Sequence, residues 1–225
     1  NLAIGHSDFL SKIPVLWWRA VGHTQNVFTM ETLIDMVAAK AGRDPIDYRL
    51  DLLKSGTKRE HERFANVIKV VRDFSGWEKG QRRGFAASYT FGTFLAVVAD
   101  VSVSEKEVHI DRMFVAVDCG TAINPDVIKA QIEGGIGYGL SAAIYSEVNF
   151  ENGVVMESNF PNYETMRINQ MPKIDVKIVS SAEAPGGIGE PGTPIAAPAL
   201  INAVYAKTGQ RITTLPISKS GFIFV

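Results

Sequence analysis

"GFAASYTFGTFLAVVADVSVSEKEVHIDRMFVAV" runs from Gly84 to Val117, and its periodicity decides the fold. Phe85, Ala87, Tyr89, Phe91, Leu95, Val97, Val101 and Val103 all fall on odd positions. That alternation is the period of a strand, whose successive side chains point to opposite faces. Gly92 breaks or bends the run. "SEKE", Ser104 to Glu107, is a polar turn, and Val108 to Val117 returns as a strand, which predicts an antiparallel hairpin.

Upstream the period is 3.6. Val27, Met30, Ile34, Val37 and Ala41 mark a first helix, with Gly42 suited to the left-handed position past its end. Asp44-Pro45 reads as cap and first turn of a second helix, with Ile46, Leu50 and Leu53 on one face. Thr57 and Glu60 have the spacing of a capping box for a third helix, which buries Phe64, Val67, Ile68 and Val71 and stops near Gly76.

Downstream, Asn124-Pro125 opens a helix to about Ser146, and Glu151-Asn152-Gly153 is a hairpin tip. Ile174 to Val179 alternates as a strand, and a last helix starts at Thr193-Pro194 and ends at Gly209. Helices and strands segregate in blocks, which predicts an α+β fold. A helical N-terminal segment, residues 1–80, is followed by a mixed, largely antiparallel sheet with packed helices, residues 81–225.

Composition narrows the function. The chain has 225 residues, 46% hydrophobic and 21% charged, enough to bury a sizeable core. The formal charge of -1 leaves no basic surplus for a nucleic-acid surface. A single cysteine, Cys119, excludes an internal disulfide and any cysteine-only zinc or iron–sulfur site, and reads as a small buried hydrophobe. The four histidines show no metal-ligand spacing, so no metal ligand is assigned. No apolar run approaches a membrane span. The opening residues carry neither an initiator Met nor a signal-peptide pattern and resemble mid-domain text. The chain is therefore expected to be part of a longer polypeptide, and its localisation stays open.

"GGIGEPG", Gly186 to Gly192, contains the G-x-G-x-x-G of a dinucleotide cradle. Its context argues otherwise. The preceding strand ends near Ser180, Pro185, Pro191 and Pro194 stiffen the loop, and no acid follows Glu190. Glu190 itself would repel a pyrophosphate by about 4 kcal/mol at an effective dielectric near 20. The Gly-Lys-Ser/Thr of a P-loop is also absent. Glycines at 186, 187, 189 and 192 instead admit the close approach of a ligand. A Glu walled by apolar residues and prolines would be desolvated and so tuned toward a general base. The following helix N-terminus works the other way, and both effects stay open. So does a plain role for Glu190 in supporting that helix's first turn.

"QIEGGIGYGLSAA", Gln131 to Ala143, places four glycines in a predicted helix, each costing about 1 kcal/mol against Ala. Either tight helix packing or the approach of a cofactor offsets that cost. In the second case Gln131, whose amide donates and accepts, is the polar contact.

"WWRAVGHTQNVFTMETLIDMVAAKAGRDPIDYRLDLL", "VDCGTAINPDVIKAQIEGGIGYGL" and "GIGEPGTPIAAPALINAV" together resemble the molybdenum-binding subunit of the xanthine dehydrogenase/aldehyde oxidase family, in the branch of the isoquinoline 1-oxidoreductase beta subunits. The resemblance covers residues 14 to about 217 and matches the C-terminal part of that subunit. It implies the molybdopterin-binding fold of aldehyde oxidases and a molybdopterin cofactor, in its cytosine dinucleotide form, carrying molybdenum. It makes Glu190 the catalytic base and Gln131 a pterin contact, with Gly187 and Gly189 admitting the cofactor. Arg19, Ala20, Val21 and Gly22 match a segment usually written R-G-x-G that passes beside the metal. Ala20 replaces its first glycine, and Val21 stands where relatives acting on purines often carry an aromatic, which argues against purine oxidation. Trp17 and Trp18 either line the substrate pocket or form a buried aromatic pair. His23 either touches substrate or cofactor or merely begins a helix.

The implied reaction hydroxylates an N-heterocycle or aldehyde with oxygen from water. Its implied partners are the rest of the large subunit and a small subunit with a 2Fe–2S cluster. Two other readings are a non-catalytic scaffold of the same fold and, less well supported, a dinucleotide-dependent dehydrogenase.

Overall fold

A computed structural model of the chain describes residues 3, 5, 7, 13, 17–54, 56 and 59–225. Three helices come first: α1 (His23–Lys40), α2 (Pro45–Leu53) and α3 (Arg59–Ser75). Asp44 caps α2 as its sequence requires, its Oδ1 accepting the N–H groups of Ile46 and Asp47 at 2.9 and 3.0 Å. Val67, Ile68 and Val71 are the buried residues of α3, with Phe64 packed beside them. The expected Thr57 cap lies outside the described residues.

α1 departs from its apolar pattern. Met30, Leu33, Met36 and Val37 are exposed, whereas Glu31, Thr32, Asp35 and Ala38 are buried. Each buried polar group is paired. Glu31 Oε2 accepts Arg49 Nε at 2.9 Å and the Ala87 N–H at 2.7 Å, Asp35 Oδ2 accepts Arg211 at 2.6 Å, and Thr32 donates to the Phe28 carbonyl at 2.6 Å. Burial raises the Glu31 pKa, and Arg49 and the Ala87 N–H only partly offset it. Such groups are tolerated inside because every one has a partner.

The strands are β1 (Gly84–Thr90), β2 (Thr93–Ser104), β3 (Glu107–Asp118), the separate hairpin β4 (Phe150–Glu151) and β5 (Val154–Val155), then β6 (Lys173–Ile178) and β7 (Ile223–Phe224). The main sheet runs β1-β2-β3-β6, with β7 also on β3. β1, β2 and β3 are antiparallel, while β6 and β7 lie parallel to β3. The chain does more than bend at Gly92. Phe91 and Gly92 both take positive φ, 53° and 77°, so Thr90 pairs with Thr93 and the strand reverses completely. That two-residue turn resets the parity of the odd-numbered run. Phe85 and Ala87 share one face with Phe94, Ala96 and Val98, against α2 and α3. Leu95, Val97 and Val101 share the other face with α4 (Pro125–Ile144) and α5 (Gly192–Thr208).

Both sheet faces are therefore covered, and β2 is apolar on both. Leu95, Met113, Ile132, Ile136, Leu140, Ile195 and Leu200 are fully buried, each contributing about 1.5–3 kcal/mol by burial. α5 is buried almost continuously from Gly192 to Val204, and Gly209 closes it at φ 76°. This central helix carries at its N-terminal end the loop that holds Glu190.

Candidate active site

Residues 179–191 join β6 to α5, and the chain's own backbone fixes their course. The Gly186 N–H donates to the Cys119 carbonyl at 2.8 Å, and the Gly187 N–H donates to the Phe91 carbonyl at 2.7 Å. Thr93 Oγ1 donates to the Gly187 carbonyl at 2.6 Å. A Cβ on Gly186 would come within 2.6 Å of the Gly92 carbonyl oxygen, so the β1–β2 turn itself demands glycine there. The first N–H of the apparent dinucleotide cradle, that of Gly187, and that of Gly186 just before it are thus spent inside the fold.

A second anchor lies beneath. Arg63 of α3 grips the buried Asp118 with two bonds, at 2.9 and 2.8 Å, and Asp118 Oδ1 accepts the Gly120 N–H at 3.0 Å. Burial alone would raise the Asp118 pKa; the Arg63 bonds and the Gly120 N–H outweigh it and hold the carboxyl below its ordinary range. This fixes the turn whose Cys119 carbonyl receives Gly186. Cys119 is buried in the core, and burial raises its thiol pKa.

Above these anchors, residues distant in sequence meet. Glu190 Oε1 accepts the Ala20 N–H at 2.9 Å. Arg19 Nε donates to the Gly189 carbonyl at 3.0 Å, a second guanidinium nitrogen makes a short bond to the same oxygen, and that nitrogen also donates to Gln131 Oε1 at 3.2 Å. Arg19, Ala20, Gln131, Gly189 and Glu190 therefore form one network. Ala20 and Val21 hold positive φ of 70° and 41°, the backbone form that carries the segment past Glu190. Gly22 then leads into α1.

Glu190 is half-buried rather than enclosed, because its loop lies at the surface with Gly187 and Gly189 exposed. Its side chain turns to Ala20, and the support of α5 falls to its backbone carbonyl, which accepts the Thr193 N–H at 2.9 Å. The tryptophans are not a buried pair. Trp17 is 90% exposed, while Trp18 packs on Tyr138 at 4.8 Å between ring centroids. His23 is the first residue of α1 and meets Phe91 edge-on at 4.7 Å.

Sequence reasoning missed Phe91 and Tyr138. Tyr138 had a signal: it lies seven residues after Gln131, on the same side of α4. The α4 glycines divide in their use. A Cβ at Gly135 would sit 3.1 Å from Gly192 Cα, at Gly139 2.4 Å from the Thr193 carbonyl oxygen, and at Gly137 3.1 Å from Met171. Tight packing accounts for these three.

The fold is thus a mixed sheet covered by helices, and the glycine loop that carries Glu190 is tied to an arginine and a glutamine. The molybdopterin cofactor-binding domain family matches residues 24–172, and the chain belongs to it. It is 34% identical over 214 residues to the beta subunit of isoquinoline 1-oxidoreductase from Brevundimonas diminuta, covering 91% of this chain and 27% of that protein. One of the subunits of nicotinate dehydrogenase from Pseudomonas putida is 30% identical over 242 residues, covering 97% of this chain and 20% of its own length. The solved quinoline 2-oxidoreductase from Pseudomonas putida 86 aligns at 25% identity with a TM-score of 0.49, over 56% of this chain and 17% of its own. The chain thus spans about a quarter of the length of the two relatives matched by sequence. The family is the one the glycine segments resemble.

Proposed function

We propose that this chain is the base-bearing, C-terminal part of a molybdenum hydroxylase large subunit, which hydroxylates an N-heterocycle or an aldehyde with oxygen drawn from water. The carrying observation is the network of Glu190, Ala20, Arg19, Gly189 and Gln131 in a molybdopterin cofactor-binding domain. The donor set suits the cofactor. The amide N–H groups of Gln131 make no hydrogen bond among the described residues, and neither does Glu190 Oε2, so both are available to a ligand. Gln131 would hold the pterin edge, and the exposed backbone at Gly187 and Gly189 would let the cofactor approach.

When bound, molybdopterin supplies the metal that presents the oxygen and takes up the electron pair. The protein's part is proton transfer and positioning. The Ala20 N–H fixes one oxygen of Glu190 and leaves the other to accept a proton as a general base. Arg19 joins the Glu190 loop to α4, so base and pterin contact keep one spacing. Trp18, Val21, Gly22 and His23, which flank Arg19 and Ala20 in sequence, would meet the cofactor or substrate.

The resemblance to the bacterial branch supports the cytosine dinucleotide form of the cofactor. Electrons would leave through a partner subunit carrying a 2Fe–2S cluster, since Cys119 is the chain's one cysteine. The exposed apolar side of α1 suits contact with the remainder of the large subunit.

Glu190→Gln in the assembled enzyme tests the role of the base. Turnover is expected to fall about 10²–10⁴-fold with molybdenum content unchanged. Near-normal turnover would reject it.

A further inference from the structure

The turn between β1 and β2 touches both segments that meet at Glu190. On one side it clasps the loop. The Phe91 carbonyl accepts the Gly187 N–H at 2.7 Å, and Thr93 Oγ1 donates to the Gly187 carbonyl at 2.6 Å, so both polar groups of one residue are held by the turn. On the other side the Phe91 ring meets His23 at 4.7 Å, and the His23 N–H donates to the Ala20 carbonyl at 3.0 Å. Ala20 is the residue whose N–H holds Glu190 Oε1. One turn therefore supports the donor end and the acceptor end of the same bond.

Thr93 is fully buried, and the bond to Gly187 is its hydroxyl's one hydrogen bond among the described residues. Closing the turn does not need that hydroxyl. Thr90 and Thr93 pair through their backbones, which valine at 93 would do as well. The hydroxyl of Thr90 is buried without a partner, so only the one at 93 reaches another segment. Between Gly187 and Glu190 stand Ile188, packed on the core, and the exposed Gly189. A tie at Gly187 removes freedom that such a glycine loop would otherwise keep.

We infer that Thr93 is a positioning residue for Glu190: its hydroxyl fixes the Gly187 peptide, and through it the place from which the Glu190 carboxylate meets the Ala20 N–H. The inference rests on the function proposed above, in that it takes Glu190 as the base. Misplacing a reacting group by about 1 Å costs up to about 10²-fold in rate. Substrate binding does not depend on the proton transfer and should change little.

The assembled enzyme tests it, with quinazoline and benzaldehyde as substrates. Thr93→Val keeps the buried shape without the hydroxyl, Thr93→Ala is a second hydroxyl-free variant, and Thr93→Ser keeps the hydroxyl. In the first two, kcat is expected to fall about 10–10²-fold, with KM and molybdenum content within about twofold of wild type. Amide exchange over residues 186–190, read by mass spectrometry, should quicken about tenfold. Thr93→Ser should retain most of the turnover and the slow exchange. Thr93→Val added to Glu190→Gln should cost nothing further, because the hydroxyl acts through the base. Unchanged kcat in the hydroxyl-free variants, unchanged exchange, an equal loss in Thr93→Ser, or turnover lost together with molybdenum overturns the inference. Near-normal turnover of Glu190→Gln removes the base itself and leaves the exchange result standing. Normal exchange and turnover in Thr93→Val beside an impaired Glu190→Gln removes the positioning role alone.

Discussion

Arg63→Met severs the anchor beneath the Glu190 loop and removes the guanidinium that lies 4.9 Å from the Phe94 ring centroid. Arg63 makes two bonds to Asp118, and the two side chains are only 18% and 4% exposed. The variant leaves the Asp118 charge buried with the Gly120 N–H but without its counter-ion. Removing one partner of a buried pair costs about 3 kcal/mol, which for a chain of this size lowers Tm by roughly 6–12 °C. The cost must depend on pH. The Asp118 pKa is held below its ordinary value of 3.8 in the folded chain, so the pair's contribution is complete above that value and is lost as pH falls through the folded pKa. Wild type and variant should therefore differ fully at pH 7 and converge on acidification below about pH 4. Adding Asp118→Asn should recover part of the loss at pH 7, because an amide oxygen still accepts the Gly120 N–H without a buried charge. Guanidinium unfolding at both pH values decides the matter. A difference under about 1 kcal/mol at pH 7, or one that is unchanged in acid, would refute the reasoning.

Ala20→Gly should stabilise the chain by about 1 kcal/mol, since Ala20 holds a φ of 70° that glycine adopts freely, and a lower Tm would contradict that account. Gly139→Ala should destabilise by about 1–3 kcal/mol, because its Cβ would sit 2.4 Å from the Thr193 carbonyl oxygen. Equal melting temperatures would show that the contact between α4 and α5 yields easily. Gln131→Ala in the assembled enzyme should weaken cofactor retention by about 1–3 kcal/mol, read as pterin and molybdenum left after dialysis. Unchanged content would remove Gln131 from the cofactor contacts.

Helix punctuation was legible because it is local. Asp44-Pro45, Asn124-Pro125 and Gly209 each act within one turn of themselves, and each bounds a helix in the structure. The reversal at Phe91–Gly92 was not legible, because a phenylalanine at positive φ is not the asparagine or aspartate that announces such turns. The apolar residues on both faces of β2 further hid the change of parity. The inverted burial of α1 was hidden for another reason. Its inward polar groups are paired by Arg49, Ala87 and Arg211, and no periodicity within α1 reports partners so far along the chain. At the site, the motif residues Glu190, Gln131 and Arg19 converge. Phe91 escaped notice because it enters through its backbone carbonyl, which carries no side-chain signature.

The outward methionines of α1 give this surface a chemical sensitivity of its own. Oxidation of Met30 and Met36 to sulfoxides would turn an oily helix side polar. The ion pairs holding α1 lie on its opposite side, so the helix would stay in place while its stickiness toward other molecules fell.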